Sequence, residues 1–295
     1  MTHVLVVVAP QAGAYRDALM TAGAVVGAYG AAPPKVLSPW EACEWTLPQA
    51  DEGTLDVLAD TFDGIDADWA LLPENNRRKK LLIADMDSTI IGCECIDELA
   101  DFAGLRAEIS DITERAMRGE LDFETALTER VAMLQGLPLE VLQKAYDERV
   151  ALNPGARTLV GTMAAHGARC VLISGGFTFF SSRVAEIAGF HAQRANTLLD
   201  DGTVLTGKVA LPILGRAAKL AALEEEVDAL GARPGDALAI GDGANDLAMI
   251  KSAGLGVAYY AKPVVGEQAH ARINFTTLAT ALFFQGYRRA EFAGD

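Results

Sequence analysis

Apolar positions along the 295-residue chain fall into short unbroken runs and longer stretches of helical period. "VLVVV", residues 4–8, is apolar throughout and predicts a strand. "AYRDALMTAGA" and "TLDVLADTF" carry a helical period, whereas "CEWTL" and "ADWALLP" are extended. Together they predict a small α/β module over residues 1–75. The polar, turn-forming "PENNRRKK" then marks a boundary. Residues 76–80 are expected to be a linker, with the basic run from Arg77 to Lys80 solvated.

A second pattern begins at "LLIAD". Further strand candidates recur at "RCVLIS", "ALAIGD", "LGVAY" and "RINF", with helical patterns between them. That alternation predicts a doubly wound parallel sheet. "TLLDDGTVLTGKV" holds Asp-Gly between extended runs and predicts a hairpin. From Cys95 to about Val150 the period is helical almost throughout, as in Ile96, Leu99, Ala100 and Ala103. The expected fold is therefore α/β. A parallel-sheet core (81–91 and 151–295) carries a helical cap (92–150) inserted after its first strand, and the small α/β module precedes both.

Composition narrows the function. The chain is 51% hydrophobic and 22% charged, with a net charge of −15. An acidic protein lacks the basic footprint that nucleic acid requires. "MTHVLVVVAP" has neither a basic start nor a run long enough for a signal segment or a membrane span. Cys43, Cys93, Cys95 and Cys170 form no CxxC pair, which points to reduced thiols in the cytoplasm. The four histidines, His3, His166, His191 and His270, show no ligand spacing. Trp40, Trp45 and Trp69 are expected in the core of the first module. If the substrate is anionic, a local cation must overcome the global charge.

The chemistry sits at strand ends. In an open parallel sheet, ligands gather beyond the carboxyl ends of the strands. Asp85, Ser174 and Asp242 each end a strand candidate, so three polar tips are expected to share one crevice. "LLIADMDSTI" sets Asp85 and Asp87 two positions apart, and such a pair needs a cation, a shared proton or solvent. "LISGGF" supplies Ser174, Gly175 and Gly176, whose amides can approach an anion. "IGDGANDLAMI" supplies Asp242, Asn245 and Asp246. "LPILGRAAKLAAL" offers Arg216 and Lys219, and Lys219 is chosen for its helical period toward Leu223.

In the order DxDST, Ser-Gly-Gly, Lys, GDGxND, the chain resembles the haloacid-dehalogenase-like phosphatases. Within them it resembles the phosphoserine phosphatases, over roughly residues 80 to 290. The motifs that carry this are "DMDSTIIGCECIDELA", "AMRGELDFETALTERVAML", "LISGGFTFF" and "IGDGANDLAMIKSAG". The resemblance implies a Rossmann-like core, a cap after the first strand and one Mg²⁺ per chain. It implies Asp85 as nucleophile, forming an aspartyl-phosphate, and Asp87 as general acid/base. It implies a metal held by Asp85, the backbone carbonyl of Asp87 and Asp242, with Asp246 behind them. Ser174, Gly175, Lys219 and Asn245 would bind the phosphate or the substrate close to it.

The resemblance also implies that Glu94 and Arg130 contact the ammonium and carboxylate of O-phosphoserine, and that Met117 and Phe123 pack near it. The first module has the size of the small amino-acid-binding (ACT-like) domains, without a motif for a ligand. The expected reaction is hydrolysis of phosphoserine to L-serine, the last step of serine biosynthesis. Two alternatives stay open. One is a phosphotransferase to another hydroxyl such as homoserine. The other is a noncatalytic amino-acid sensor. The pattern predicts no membrane association and leaves an oligomer open.

Overall fold

The computed structural model describes residues 2–10, 12–51, 53–117 and 120–294, with the backbone alone at 12 and 117. The chain opens with β1 (His3–Val8), α1 (Ala12–Val26), β2 (Lys35–Ser38), β3 (Ala42–Leu47), α2 (Thr54–Phe62) and β4 (Asp68–Pro73). The strands form an antiparallel sheet in the order β2-β3-β1-β4. This is the βαββαβ arrangement of ferredoxin-like units.

The unbroken apolar run of β1 now has a cause. Strand side chains alternate between faces. Leu5 and Val7 pack with Tyr15, Ala18, Leu58 and Phe62 of the module's own helices. Val4, Val6 and Val8 face the other way and join one core with Leu278, Phe283 and Phe284 of the second module. Both faces of the strand are covered, so neither is polar. Trp45 is buried and Trp69 stacks on Phe62, as expected for a core, but Trp40 is 64% exposed. Trp40 occupies the turn between β2 and β3 with a positive φ of 63°, and that turn projects it outward.

The junction also departs from expectation. Arg78 and Lys80 are exposed as expected of a solvated run, but Arg77 and Lys79 are packed. Arg77 pairs with buried Glu44 at 2.8 Å and donates to the carbonyl of Phe284. Lys79 is 8% exposed, and its ammonium donates to the carbonyls of Asn76 and Gly235 at 2.7 and 2.8 Å. A buried charge needs such partners. The composition suggested a loop, but these long side chains fasten the two modules together. Asp68, at the start of β4, adds a further tie by accepting from the backbone N–H groups of Asn274 and Thr276.

The second module starts with β5 (Leu81–Ala84). An irregular turn over Met86–Ile90 follows, and then α3 (Cys95–Ala103), α4 (Arg106–Met117), α5 (Phe123–Met133) and α6 (Leu139–Arg149). These four helices are the insertion read from the periodicity. The chain returns through α7 (Ala156–Ala165), β6 (Arg169–Phe177), α8 (Thr178–Ala188) and β7 (Ala192–Asn196). The hairpin β8 (Leu198–Asp200) and β9 (Leu205–Val209) comes next, as its Asp-Gly signal indicated. It docks on the insertion, since Leu205 N–H donates to Leu137 and Gly136 N–H donates to Leu205.

The rest is α9 (Arg216–Ala229), β10 (Ala237–Gly241), α10 (Leu247–Ser252), β11 (Leu255–Tyr259), α11 (Pro263–Gly266), β12 (Ala271–Ile273) and α12 (Thr280–Phe284). The six-stranded sheet runs β12-β11-β10-β5-β6-β7, all parallel. Residues of α7, α8 and α12 cover one face, and residues of α9, α10 and α11 cover the other. The chain leaves β5 toward β6 on one side and later returns to β10 on the other. That reversal opens a crevice above the ends of β5 and β10.

Candidate active site

β5 reads "LLIA" with every residue buried, as a central parallel strand must. Asp85 follows at its tip. Its Oδ1 accepts from the N–H of Met86 at 2.8 Å and faces Lys219 Nζ at 2.6 Å. With one oxygen so held, Oδ2 is the oxygen left for a ligand. Lys219 comes from α9 and also reaches Asp246 Oδ1 at 2.6 Å. Asp246 is itself held by the N–H of Gly243 at 3.0 Å. Of the two basic residues in "GRAAKL", Lys219 is the one brought to Asp85. Arg216 lies instead in a separate surface hollow beside Glu124.

Burial opposes the Lys219 charge, but Asp246 and Asp85 outweigh it and hold the ammonium above its ordinary pKa. Burial pushes Asp85 well above the usual carboxylate range, Asp246 adds to this, and Lys219 opposes it. Asp242, at the end of β10, accepts from Thr89 Oγ1 at 2.9 Å and is also raised, by burial first and then by Asp246. Oxygens of Asp85, Asp242 and Asp246 lie within 4.8 Å of one another. Three carboxylates share one ammonium here, so the cluster carries excess negative charge. Its all-oxygen donor set fits a hard divalent cation such as Mg²⁺.

Asp87 sits beside them under different constraints. Its Oδ1 accepts from the N–H of Cys95 at 2.9 Å, and its Oδ2 accepts from Ser174 Oγ at 3.0 Å. Burial raises its pKa, and those hydrogen bonds only partly offset the rise. Ser174, near the end of β6, accepts in turn from the N–H of Gly176. A Cβ at Gly176 would lie 2.8 Å from Asp87 Oδ2, so the glycine lets the strand pass beside the carboxylate. The three tips meet because β6 and β10 flank β5 in the sheet.

The insertion supplies the other wall of a cleft of about 530 Å³. Glu94 accepts from Ser88 Oγ at 2.7 Å, and Ser88 itself is held at a φ of 54°. Glu94 remains in reach of solvent at the cleft mouth. Enclosure by the walls, with the Asp87 charge second, pushes its pKa up to about 7. Arg130 of α5 lines the same cleft and donates to the carbonyl of Ala126 and weakly to Thr113. Among the described residues it forms no ion pair; burial lowers its pKa, and the Asp97 and Glu94 charges only partly oppose this.

Phe123 closes the cleft from the α5 end. Its ring would lie 3.1 Å from a Cβ at Gly175 and 3.3 Å from one at Gly215, so two glycines form its seat. Gly175 and Asn245 line the cleft. The side chain of Met117 lies outside the described residues.

Sequence reasoning missed Thr89, which orients Asp242, and Lys262, which lines the cleft from the segment after β11. The strand-end rule would have found Lys262 had it been applied to β11 as well. Among the described residues, no helix is long and apolar enough to cross a membrane.

A family model described as haloacid dehalogenase-like hydrolase matches residues 82–251. The phosphoserine phosphatase of Polaromonas sp. is 46% identical over 200 residues, which is 66% of this chain and 85% of that protein. The phosphoserine phosphatase of Streptomyces coelicolor is 44% identical over 229 residues; the match takes in 77% of this chain but only 55% of that longer protein. Among solved structures, a HAD family hydrolase of Salmonella enterica serovar Typhi superposes with a TM-score of 0.86 at 30% identity, covering 96% of this chain and 98% of its own. From its strand-tip aspartates to its matched residues, the chain belongs to the haloacid dehalogenase-like hydrolases and, within them, to the phosphoserine phosphatases.

Proposed function

We propose that the chain is a phosphoserine phosphatase that hydrolyses O-phospho-L-serine to L-serine and phosphate through an aspartyl-phosphate on Asp85. One observation carries this reading. The cleft that holds Asp85 and Asp87 also presents Glu94 and Arg130, charges of opposite sign suited to an amino acid's ammonium and carboxylate. The curated relatives bear the same activity in their names.

Asp85 attacks phosphorus from the strand tip, with Lys219 and the Met86 N–H against its Oδ1. The bond from phosphorus to the serine oxygen breaks, and Asp87 gives that oxygen its proton. The raised pKa of Asp87 suits it to start as the acid. Asp87, now a carboxylate, takes a proton from water. The water oxygen attacks phosphorus, frees Asp85 and releases phosphate. Ser174 and the Gly175 amide are donors for phosphate oxygens.

Asp85, Asp242 and the carbonyl of Asp87 would hold one Mg²⁺, with Asp246 behind them. The ion would supply charge neutralisation for carboxylates and phosphate together. In this reading residues 92–150 form the cap over a core of 81–91 and 151–295, and residues 1–75 form a separate module of ACT-like architecture. The four free cysteines suit a cytoplasmic setting.

The test is phosphate release from L-phosphoserine, with and without Mg²⁺, beside a panel of other phosphate monoesters. Mg²⁺-dependent release that favours phosphoserine is expected. Equal turnover across the panel would remove the assigned substrate. Transfer of phosphate to an added alcohol such as homoserine would move the reaction to a phosphotransferase.

A further inference from the structure

We infer that Lys262 is the cation that captures the phosphate of incoming substrate at the open side of the cleft. The inference rests on the proposed function and adds a substrate-binding residue to it. It begins with the charges that line the cleft. Among the described residues, Asp85, Asp87, Glu94, Asp97 and Asp242 are acidic there, and Arg130 and Lys262 are the basic residues. Lys219 stands behind Asp85, and its charge is already taken by two carboxylates at 2.6 Å each. Among the described residues, a phosphate monoester approaching a chain of net charge −15 therefore meets two cations without an ion pair on its way in.

Those two cations stand on opposite walls. Arg130 belongs to α5 of the insertion, and Lys262 to the core, just after β11. Arg130 is the partner for a carboxylate in the reading above, which leaves Lys262 for the phosphate end. Its position suits that task. The Lys262 N–H donates to the backbone carbonyl of Asp242 at 3.2 Å, so the stem of the side chain starts beside the strand tip that carries Asp242. The Lys262 carbonyl accepts from the N–H groups of Val265 and Gly266, and Pro263 follows.

The backbone is thus fixed at both of its polar groups while the side chain is exposed. Among the described residues the ammonium has no hydrogen bond or ion pair. The neighbouring segment is braced as well. The Tyr260 N–H donates to Ile273, and the Tyr260 hydroxyl donates to the carbonyl of Thr276 at 3.2 Å. A free ammonium on a braced loop at the rim of an acidic cleft can collect an anion by diffusion. In water it acts over no more than about 10 Å at ordinary salt.

The experiment measures kcat and KM of the Mg²⁺-loaded full chain and of Lys262→Ala, Lys262→Gln and Lys262→Arg. Each is assayed on phosphoserine and on an aryl phosphate over a range of salt. Lys262→Ala and Lys262→Gln are expected to lower kcat/KM roughly tenfold at low salt, on both substrates and mainly through KM. The loss should shrink as salt rises, and Lys262→Arg should restore most of it. Binding of inorganic phosphate, followed by calorimetry, should weaken in parallel without any turnover.

A wild-type to Lys262→Gln ratio near one at all salts, or a loss confined to phosphoserine, would overturn the assignment. Wild-type protein that hydrolyses the aryl ester but ignores phosphoserine would instead overturn the proposed substrate. The Lys262 comparison would still be read on the aryl ester.

Discussion

The two walls of the cleft are built on opposite electrostatic terms. On the core wall, the strand-tip groups are held by partners within the protein, with an excess of negative charge left for a cation: Lys219 sits between Asp85 and Asp246, and Asp87 accepts from Cys95 and Ser174. On the insertion wall, Arg130 has no ion pair among the described residues, and Glu94 has one hydroxyl donor and a pKa lifted to about 7. Groups held by such partners keep a fixed geometry. Unmatched ones in a half-enclosed site wait for a partner, because stranding a charge is costly. The core wall therefore suits chemistry common to any phosphate monoester, and the insertion wall suits the choice among them.

The largest effect expected from breaking this contrast is on the core wall. Asp85→Asn should lower turnover of every monoester by at least about 10⁴-fold, as loss of a nucleophile does. The fold should survive, because Lys219 keeps Asp246 at 2.6 Å. Steady-state assays and a thermal melt check both halves. Substantial turnover, or labelling of another residue in a phosphate-trapping experiment, would refute the nucleophile assignment.

Next comes the insertion wall. Stranding one partner of a charge-assisted pair in a closed site typically costs roughly 2–5 kcal/mol. At about 1.4 kcal/mol per tenfold, Arg130→Ala or Glu94→Gln should lower kcat/KM for phosphoserine by tens to thousands of times. An aryl phosphate, which has neither charged group, should be affected far less. If both substrates suffer equally, the two walls are not divided as described.

A smaller effect is expected from removing residues 1–77. Every candidate site residue lies beyond them, so kcat/KM for phosphoserine should stay close to that of the full chain. Stability should not. The truncation uncovers Leu278, Phe283 and Phe284 and removes Asp68, Glu44 and Arg77 from their partners. A fall in Tm of about 5–10 °C is expected, at the usual few degrees per kcal/mol for a domain of this size. An inactive but well-folded truncation would show that the first module shapes the cleft.

The smallest effect concerns Glu94 in the metal-free protein. Its pKa rises from an ordinary 4.5 to about 7 on folding. The folded state thus holds this proton more tightly than the unfolded state does. Ionising Glu94 costs stability that is intact below about pH 4 and lost as pH rises through 7. Glu94→Gln removes that cost while keeping an oxygen for Ser88. It should raise Tm by about 2–4 °C at pH 8 and hardly change it at pH 4. An equal shift at both pH values would point to packing instead of charge.

Much of this was legible in the chain. The strand with no polar side, "LLIA", its terminal Asp85, the hairpin at Asp-Gly and the helical stretch after Cys95 all follow from local pattern, because period and turn chemistry act over a few residues. The order of motifs was enough to nominate Asp85, Asp87, Ser174, Lys219 and Asp242. Other features depended on distance in space alone. The placing of β6 and β10 on either side of β5 is what brings Ser174, Asp87 and Asp242 together.

Nothing local distinguishes Lys219, whose charge is spent on two carboxylates, from Lys262, whose charge is free; both are lysines flanked by apolar residues. Nor could composition show that Arg77 and Lys79 would be packed at a junction instead of solvated. A side chain's charge belongs to the sequence. Its partners and its solvent are contributed by residues far along the chain, and only the folded arrangement decides whether that charge holds the structure or awaits a ligand.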